Sequence, residues 1–473
     1  MKKTSPFSPT RVSMAVAVVC VGISMPAFAQ MDTKMTGRVH FDARAIDSGL
    51  DQINDRDTAS VASGYEIRRA RIGFTGNYNK QIQYEGVANA VGSSTNIIDT
   101  AFVNYGYNSA ANIRVGRFKQ PFSLEENTSS NNFDFMERSY VNQITPGKKL
   151  GAMIHGVSDA GFTYAASIYQ NDFNQVSNSD GASTMGALRL TTDLAKLGKL
   201  GDGSVVFHLG YGYDRGTYEV VPTSSGNTAS AASTTTRATI LSFRDENRGL
   251  NNAYRLQMAG VALTEADYNA ASTETVDISK LTNGLELAFA TGPFKIQGEA
   301  ANSKFSATTV RSGAIPLDAS VKTQYIQFLY NITGEDFAKS YSKGVFGGIK
   351  PSSEFMKDYG GVVGNGTGAW QVGYRYSLYD VSLTQAVNAI SSTSPDTSTE
   401  RKVTGDTNSR FQNSPTANTH TFAVNWILNS NARIMFNYST TTFGSSVEAL
   451  DTNYNGSTTS KEDIISVRTQ FNF

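Results

Sequence analysis

Arg114, Arg117 and Lys119 lie close together at the start of RVGRFKQPFSLEENTSSNNFDFMERSY, residues 114–140. Two guanidinium groups beside an ammonium suit a phosphate-like anion, since arginine offers a planar fork of donors and lysine a point charge. The three sit on a short alternating stretch that Pro121 breaks, because proline cannot donate to a sheet ladder. A polar segment of about 25 residues follows, much longer than an ordinary connection. Cations at the root of such a loop are what an anion-attracting constriction needs.

The same residue types recur upstream. Stretches 38–44, 64–76 and 110–119 hold Arg38, Arg44, Arg68, Arg69, Arg71, Arg114, Arg117 and Lys119 against Asp42 and Glu66, a local excess of six positive charges. The whole chain hides this, with 41 basic and 41 acidic residues. Placement therefore carries the anion chemistry, and the global charge gives no footprint for nucleic acid. Other chemistry is sparse. His40, His155, His208 and His420 are scattered without metal spacing or a nucleophile partner, and Gly364, Gly366 and Gly368 read as turn glycines. No enzyme, metal or cofactor is expected.

Residues 1–29 read as an export signal: Lys2, Lys3 and Arg11, then an apolar run from Val12 to Ile23, then Ala27-Phe28-Ala29 as a cleavage site. The mature chain is expected to begin at Gln30, with 38 basic and 41 acidic residues, net −3. Cys20 lies inside this signal, so the mature chain has no thiol or disulfide.

The elements that must position the cations are strands. Val39, Phe41 and Ala43 share one face, opposite Arg38, His40, Asp42 and Arg44. Ala70, Ile72 and Phe74 oppose Arg69 and Arg71, and Leu285, Leu287 and Phe289 oppose Glu286. Ile465, Val467, Thr469, Phe471 and Phe473 oppose Ser466, Arg468, Gln470 and Asn472. Alternation fits a soluble sandwich as well as a membrane barrel. The export signal, the abundant Tyr and Phe at strand ends and the terminal Phe473 favour an antiparallel outer-membrane barrel. Short turns at Asn79-Lys80, Ser109-Ala110, Asp159-Ala160 and Asn429-Ser430 alternate with long connections near 46–63, 120–147, 214–236, 247–278, 352–367, 382–417 and 443–460. The count is 16 to 18 strands, with antiparallel closure favouring an even number. Stretches 224–236 and 391–417, rich in Ser, Thr and Asn, are assigned no secondary structure.

The segments YEIRRARIGFTG (65–76), RVGRFKQPFSLEENTSS (114–130), FMERSY (135–140), GLELAFATGPFKIQGE (284–299), ITGE (332–335), FGGIKP (346–351), AWQVGYRYS (369–377) and VNWILNSNARIMFNY (424–438) resemble the phosphate-selective porin O/P family. The resemblance covers nearly all of the mature chain. It implies a 16-stranded barrel, usually trimeric, in the outer membrane of a Gram-negative bacterium. It also implies a loop folded into the lumen and phosphate, polyphosphate or other small anions as substrates. Residues 237–255 match the family's inward-folded fifth loop loosely.

Arg44, Arg69 and Arg71 fall on the polar face and are expected in the lumen, since a cation on the lipid face at the midplane costs about 2–4 kcal/mol. Arg117 and Lys119 share the parity of Ile113 and Val115, which would turn them to lipid. A bend at Gly116, departure of the chain from the wall or cover by a neighbouring protomer would each resolve this. With Pro121 so close, the expectation is that the wall ends near Gly116 and residues 120–147 enter the lumen. Arg44, Arg69, Arg71, Arg117 and Lys119 are then the candidate anion contacts. Glu125, Glu126, Glu137 and Arg138, with Asp134, are candidate anchors of the loop to the wall. Three functions stay open: a passive anion-selective pore, a general diffusion pore with mild anion preference, and a structural or adhesive barrel with a plugged lumen.

Overall fold

The computed structural model describes residues 31–47, 63–91, 97–171, 184–220, 223–224, 236–249, 251–259, 276–307, 317–358, 363–385, 416–448 and 458–473. The signal segment 1–29 and most of 224–236 and 391–417 lie outside these residues.

Sixteen strands close into one antiparallel barrel. They are β1 (Met31–Asp47), β2 (Gly64–Tyr78), β3 (Ile82–Asn89), β4 (Ile98–Asn108), β5 (Ala111–Lys119), β6 (Lys148–Val157), β7 (Phe162–Gln170) and β8 (Thr184–Asp193). They continue as β9 (Val205–Val220), β10 (Val276–Thr291), β11 (Phe294–Ala307), β12 (Leu317–Asn331), β13 (Ala369–Gln385), β14 (Thr416–Ile427), β15 (Ala432–Glu448) and β16 (Thr458–Asn472). β1 pairs with β16 to close the ring, so no edge is left to template aggregation.

The two faces are inverted relative to a soluble protein. Phe41, Ile72, Phe74, Leu285, Leu287, Phe289 and Ile465 are exposed, while Arg375 and Arg468 are among the largest fully buried side chains. Lipid is the solvent of the outer face, and polar groups turn inward to one another. Aromatic pairs edge the belt at the turn end: Trp370 and Trp426 stack at 5.2 Å, and Phe294 and Tyr330 lie 4.7 Å apart. The terminal Phe473 exchanges backbone hydrogen bonds with Gly37 at 2.9 and 3.1 Å, and its ring covers that glycine.

Three expectations need correction. Connections 214–236 and 247–278 do not bracket a wall segment. Strands Thr236–Arg244 and Asn251–Ala259 pair with each other outside the barrel ladder, so one excursion joins β9 to β10. The connection placed at 352–367 runs from 332 to 368 and belongs to the short-turn end, from which it folds back inward. Lastly, the wall does not end near Gly116, because β5 pairs with β6 as far as Lys119 opposite Lys148.

Residues 120–147 fill much of the lumen. Phe122 is buried against Gly212 of β9 and Gly284 of β10, where a Cβ would stand 2.9 and 2.8 Å from its ring. Leu124 and Phe135 pack with Phe337 and Phe346 of the returning 332–368 segment. The loop is thus held by packing from two sides before any ion pair is counted.

Candidate functional site

Against the early half of the wall the loop leaves a cavity of about 1030 Å³. Eleven basic side chains line it, among them Arg38, Arg69, Arg71, Arg114, Arg117 and Lys148, against four acidic ones, Glu85, Asp99, Glu126 and Asp159. Arg38 donates to Ser130 Oγ at 2.6 Å, and Arg69 lies 3.3 Å from His40 Nδ1. Arg114 donates to Asn104 at 3.4 Å and lies over the Phe102 ring at 4.2 Å. The side-chain hydrogen bonds of these three arginines thus go to neutral partners. Asp99 offsets part of the field, pairing with Arg71 at 2.9 Å and with Lys148.

Local irregularities, not alternation, put several of these groups inside. A register shift between His40 and Phe41 leaves Arg68 as an extra residue on β2, so Arg68 and Arg69 both turn inward. A second shift on β4 frees Asp99 between Ile98 and Thr100. Arg117 lines the cavity although its partner across the ladder, Leu150, is exposed outside. The device is Gly116, with φ +129°, a conformation that side-chain-bearing residues avoid. A Cβ there would also stand 2.2 Å from the Ala101 carbonyl oxygen and 2.7 Å from Phe102 Cα. Gly116→Ala is therefore expected to prevent a heat-stable barrel from forming, read as loss of the heat-modifiable mobility shift on electrophoresis. A normal shift would show that the bend is dispensable.

The five candidate anion contacts thus separate. Arg69, Arg71 and Arg117 meet at the cavity. Lys119 also borders it, but its Nζ donates to the Glu126 and Thr128 carbonyls, each at 2.6 Å. It clips the loop. Arg44 is held by Asp42 and Glu66, both at 2.7 Å, and does not border the cavity. Arg38 and Arg114 were legible as polar-face residues but were not chosen, and Lys148 opens the strand after the loop without any local signal.

The candidate anchors meet the wall or each other. Glu137 takes Arg68 at 2.7 and 3.0 Å and Arg468 of β16 at 2.8 Å. Burial pushes its carboxyl up, yet those two guanidinium groups hold it well below the usual range. Glu125 binds Ser139 and lies 3.3 Å from Arg375 of β13. Glu126 pairs with Arg138 at 2.7 Å inside the loop. Asp134 is fixed by Lys295 at 2.7 Å and Gln327 at 3.1 Å. Three staples were not foreseen. Glu299 accepts the backbone N–H groups of Leu124 and Glu125 at 3.0 and 2.7 Å, Arg433 donates to the Phe133 carbonyl at 2.7 Å, and Arg468 donates to that of Met136.

The excursion between β9 and β10 also reaches inward. Its tip Asp245-Glu246-Asn247 is buried, with Asp245 accepting from Thr441 at 2.7 Å and Glu246 3.2 Å from Arg375. Gln143 ties the two inward loops by bonding the Arg244 backbone in both directions, at 2.5 and 3.1 Å. Burial raises Glu246 to about 7, with Arg375 opposing and Glu125 and Asp245 adding to the rise. A raised carboxyl pKa means that the docked tip holds a proton that the released tip gives up. Docking is then strongest below the ordinary carboxyl range, near pH 4.5, weakens as pH climbs to about 7, and levels off above. Hydrogen-exchange protection factors at 244–249, taken relative to the base-catalysed intrinsic rate, should fall across that window, and Glu246→Gln should remove the dependence. A flat wild-type profile would exclude this coupling.

A closed barrel with lipid-facing apolar rows and a basic, water-accessible lumen narrowed by an inward loop defines an outer-membrane porin. The chain belongs to the family described as phosphate-selective porin O and P, whose model matches residues 33–473. Among solved structures, OmpT of Vibrio cholerae, expressed in the outer membrane, is similar at 9% identity with TM-score 0.51, covering 95% of this chain and 100% of that one. A loop L8 deletion mutant of the same Vibrio cholerae protein gives 10% identity and TM-score 0.51, covering 94% and 100%. These likenesses speak to the fold alone. No curated protein sequence matches the chain.

Proposed function

We propose that this porin is a passive, anion-selective channel for phosphate-like anions, with no covalent chemistry of its own, working as a homotrimer after removal of residues 1–29. The observation that carries the reading is the cavity lining, eleven basic side chains against four acidic. A monovalent anion about 4 Å from one cation gains roughly 1 kcal/mol in bulk-like water and about 4 kcal/mol at an effective dielectric of 20. A narrow neck in low-dielectric walls therefore concentrates anions and repels cations. Several guanidinium groups in sequence let an ion pass between sites without being trapped at one. Arg69, Arg71 and Arg117, with Arg38 and Arg114, are the proposed contacts, and Glu125, Glu126, Glu137 and Arg138 the loop anchors.

A second reading, a diffusion pore with only mild anion preference, is favoured by Asp99, which offsets one of the two charges of Arg71 and Lys148 at the cavity wall. Single-channel chloride current under added phosphate separates the two. Millimolar block supports phosphate binding in the neck, and chloride current indifferent to phosphate supports the diffusion pore.

A further inference from the structure

The outer wall is not uniform at the loop end of its apolar belt. That level is marked on two strand pairs by tyrosines whose hydroxyls reach asparagines: Tyr211 donates to Asn283 at 2.7 Å and Tyr376 to Asn418 at 2.9 Å. On the β1–β8 side the large exposed side chains toward the loop end are apolar, including Tyr65, Ile67, Ile98, Leu150 and Ile168, and the exposed charge there, Asp47, is acidic. On β9–β12 the exposed side chains turn basic instead: Arg215, Lys304 and Lys322. Arg215 and Lys304 both stand opposite Leu281, and Lys322 stands opposite Asn302, one diagonal step from Lys304. With strands about 4.8 Å apart, the three cations span roughly 14 Å. Two carboxylates lie nearby, Asp318 on β12 one diagonal step from Lys304 and Asp380 opposite Lys322, so Arg215 is the cation farthest from both.

Directly below the patch the wall is shallow. Gly298 of β11 lies between exposed Leu287 of β10 and exposed Ile326 of β12, and Ala300 lies between exposed Leu285 and exposed Gln324. Small residues flanked by larger ones make a shallow trough running down the strand. A cation on the lipid side is costly at the midplane but nearly free at the interface, where each is worth about 1 kcal/mol toward anionic headgroups.

We infer that β9–β12 carry a lipid site: an acyl chain lies in the Gly298–Ala300 trough and the phosphate of an outer-leaflet glycolipid headgroup sits on Arg215, Lys304 and Lys322. This site is on the outer wall and independent of conduction. Native mass spectrometry of the mature porin, extracted from its membrane and offered bisphosphorylated lipid A, tests it. Lipid A should bind, with dephosphorylated lipid A, the R215Q/K304Q/K322Q variant and the trough-filling A300W variant each about tenfold weaker or more. Millimolar inorganic phosphate should not displace it, and the triple variant should conduct as the wild type does. Equal binding by the dephosphorylated lipid or by the triple variant would overturn the site. Displacement by inorganic phosphate would overturn it as a lipid site, leaving a free-anion site.

Discussion

Replacing Arg468 with leucine is expected to unseat the 120–147 loop while leaving the barrel closed. Arg468 is fully buried on β16, bonds both oxygens of Asp42 at 2.7 Å, reaches Glu137 at 2.8 Å and caps the Met136 carbonyl. Its loss leaves Asp42 with Arg44 and Glu137 with Arg68 as their remaining cations, and the Met136 carbonyl loses its donor. Removing one partner of a buried ion pair costs up to about 3–5 kcal/mol, and the second guanidinium kept by each carboxylate here brings the cost below that ceiling. The wall ladder is untouched, so the penalty falls on the seat of the loop. Single-channel conductance should rise and become noisy, and protease should cut within 129–139, where the wild type resists. Wild-type conductance together with wild-type resistance would show that packing by Phe122, Leu124 and Phe135 suffices without the guanidinium.

The second large effect concerns selectivity. Arg114→Glu with Arg117→Glu would leave nine basic and six acidic side chains around the cavity in place of eleven and four. At an effective dielectric of 20, one charge about 4 Å from the ion is worth roughly 4 kcal/mol, and 1.4 kcal/mol is a factor of ten. Even with heavy screening, two reversals should lower the anion-to-cation permeability ratio by at least about tenfold. Lys119→Met serves as the contrast. Because its ammonium serves the Glu126 and Thr128 carbonyls, this change should disturb loop order and current noise more than ion preference. If Lys119→Met shifted selectivity as strongly as the double reversal, the separation of clip from contact would be wrong.

Much of the architecture was legible because a barrel wall imposes period two on nearly every residue, so Ile72, Phe74, Leu285 and Phe471 had to face away from Arg69, Glu286 and Gln470. The inward loop was legible from Pro121 and from the length that follows it. The failures share one cause. Period two cannot see a bulge: the parity of Ala70, Ile72 and Phe74 extended to Arg68 would point it to lipid, whereas the shift at His40/Phe41 turns it to Glu137. Nor can it see a glycine kink that leaves the ladder intact, so the parity conflict at Arg117 was resolved by ending the wall. Lys119 was assigned by charge, but its role depends on where two carbonyls of the folded loop come to rest. The staples Glu299, Arg433 and Arg468 pair with loop residues some 170 to 330 positions away. The returning segment 332–368 gave no periodic signal of its inward course.

The central claim, that a basic lumen selects anions, is tested most directly by the zero-current potential of the wild-type porin across a tenfold potassium chloride gradient. The account predicts a potential close to the chloride equilibrium value. A potential near zero, or one of the sign set by potassium, would contradict it.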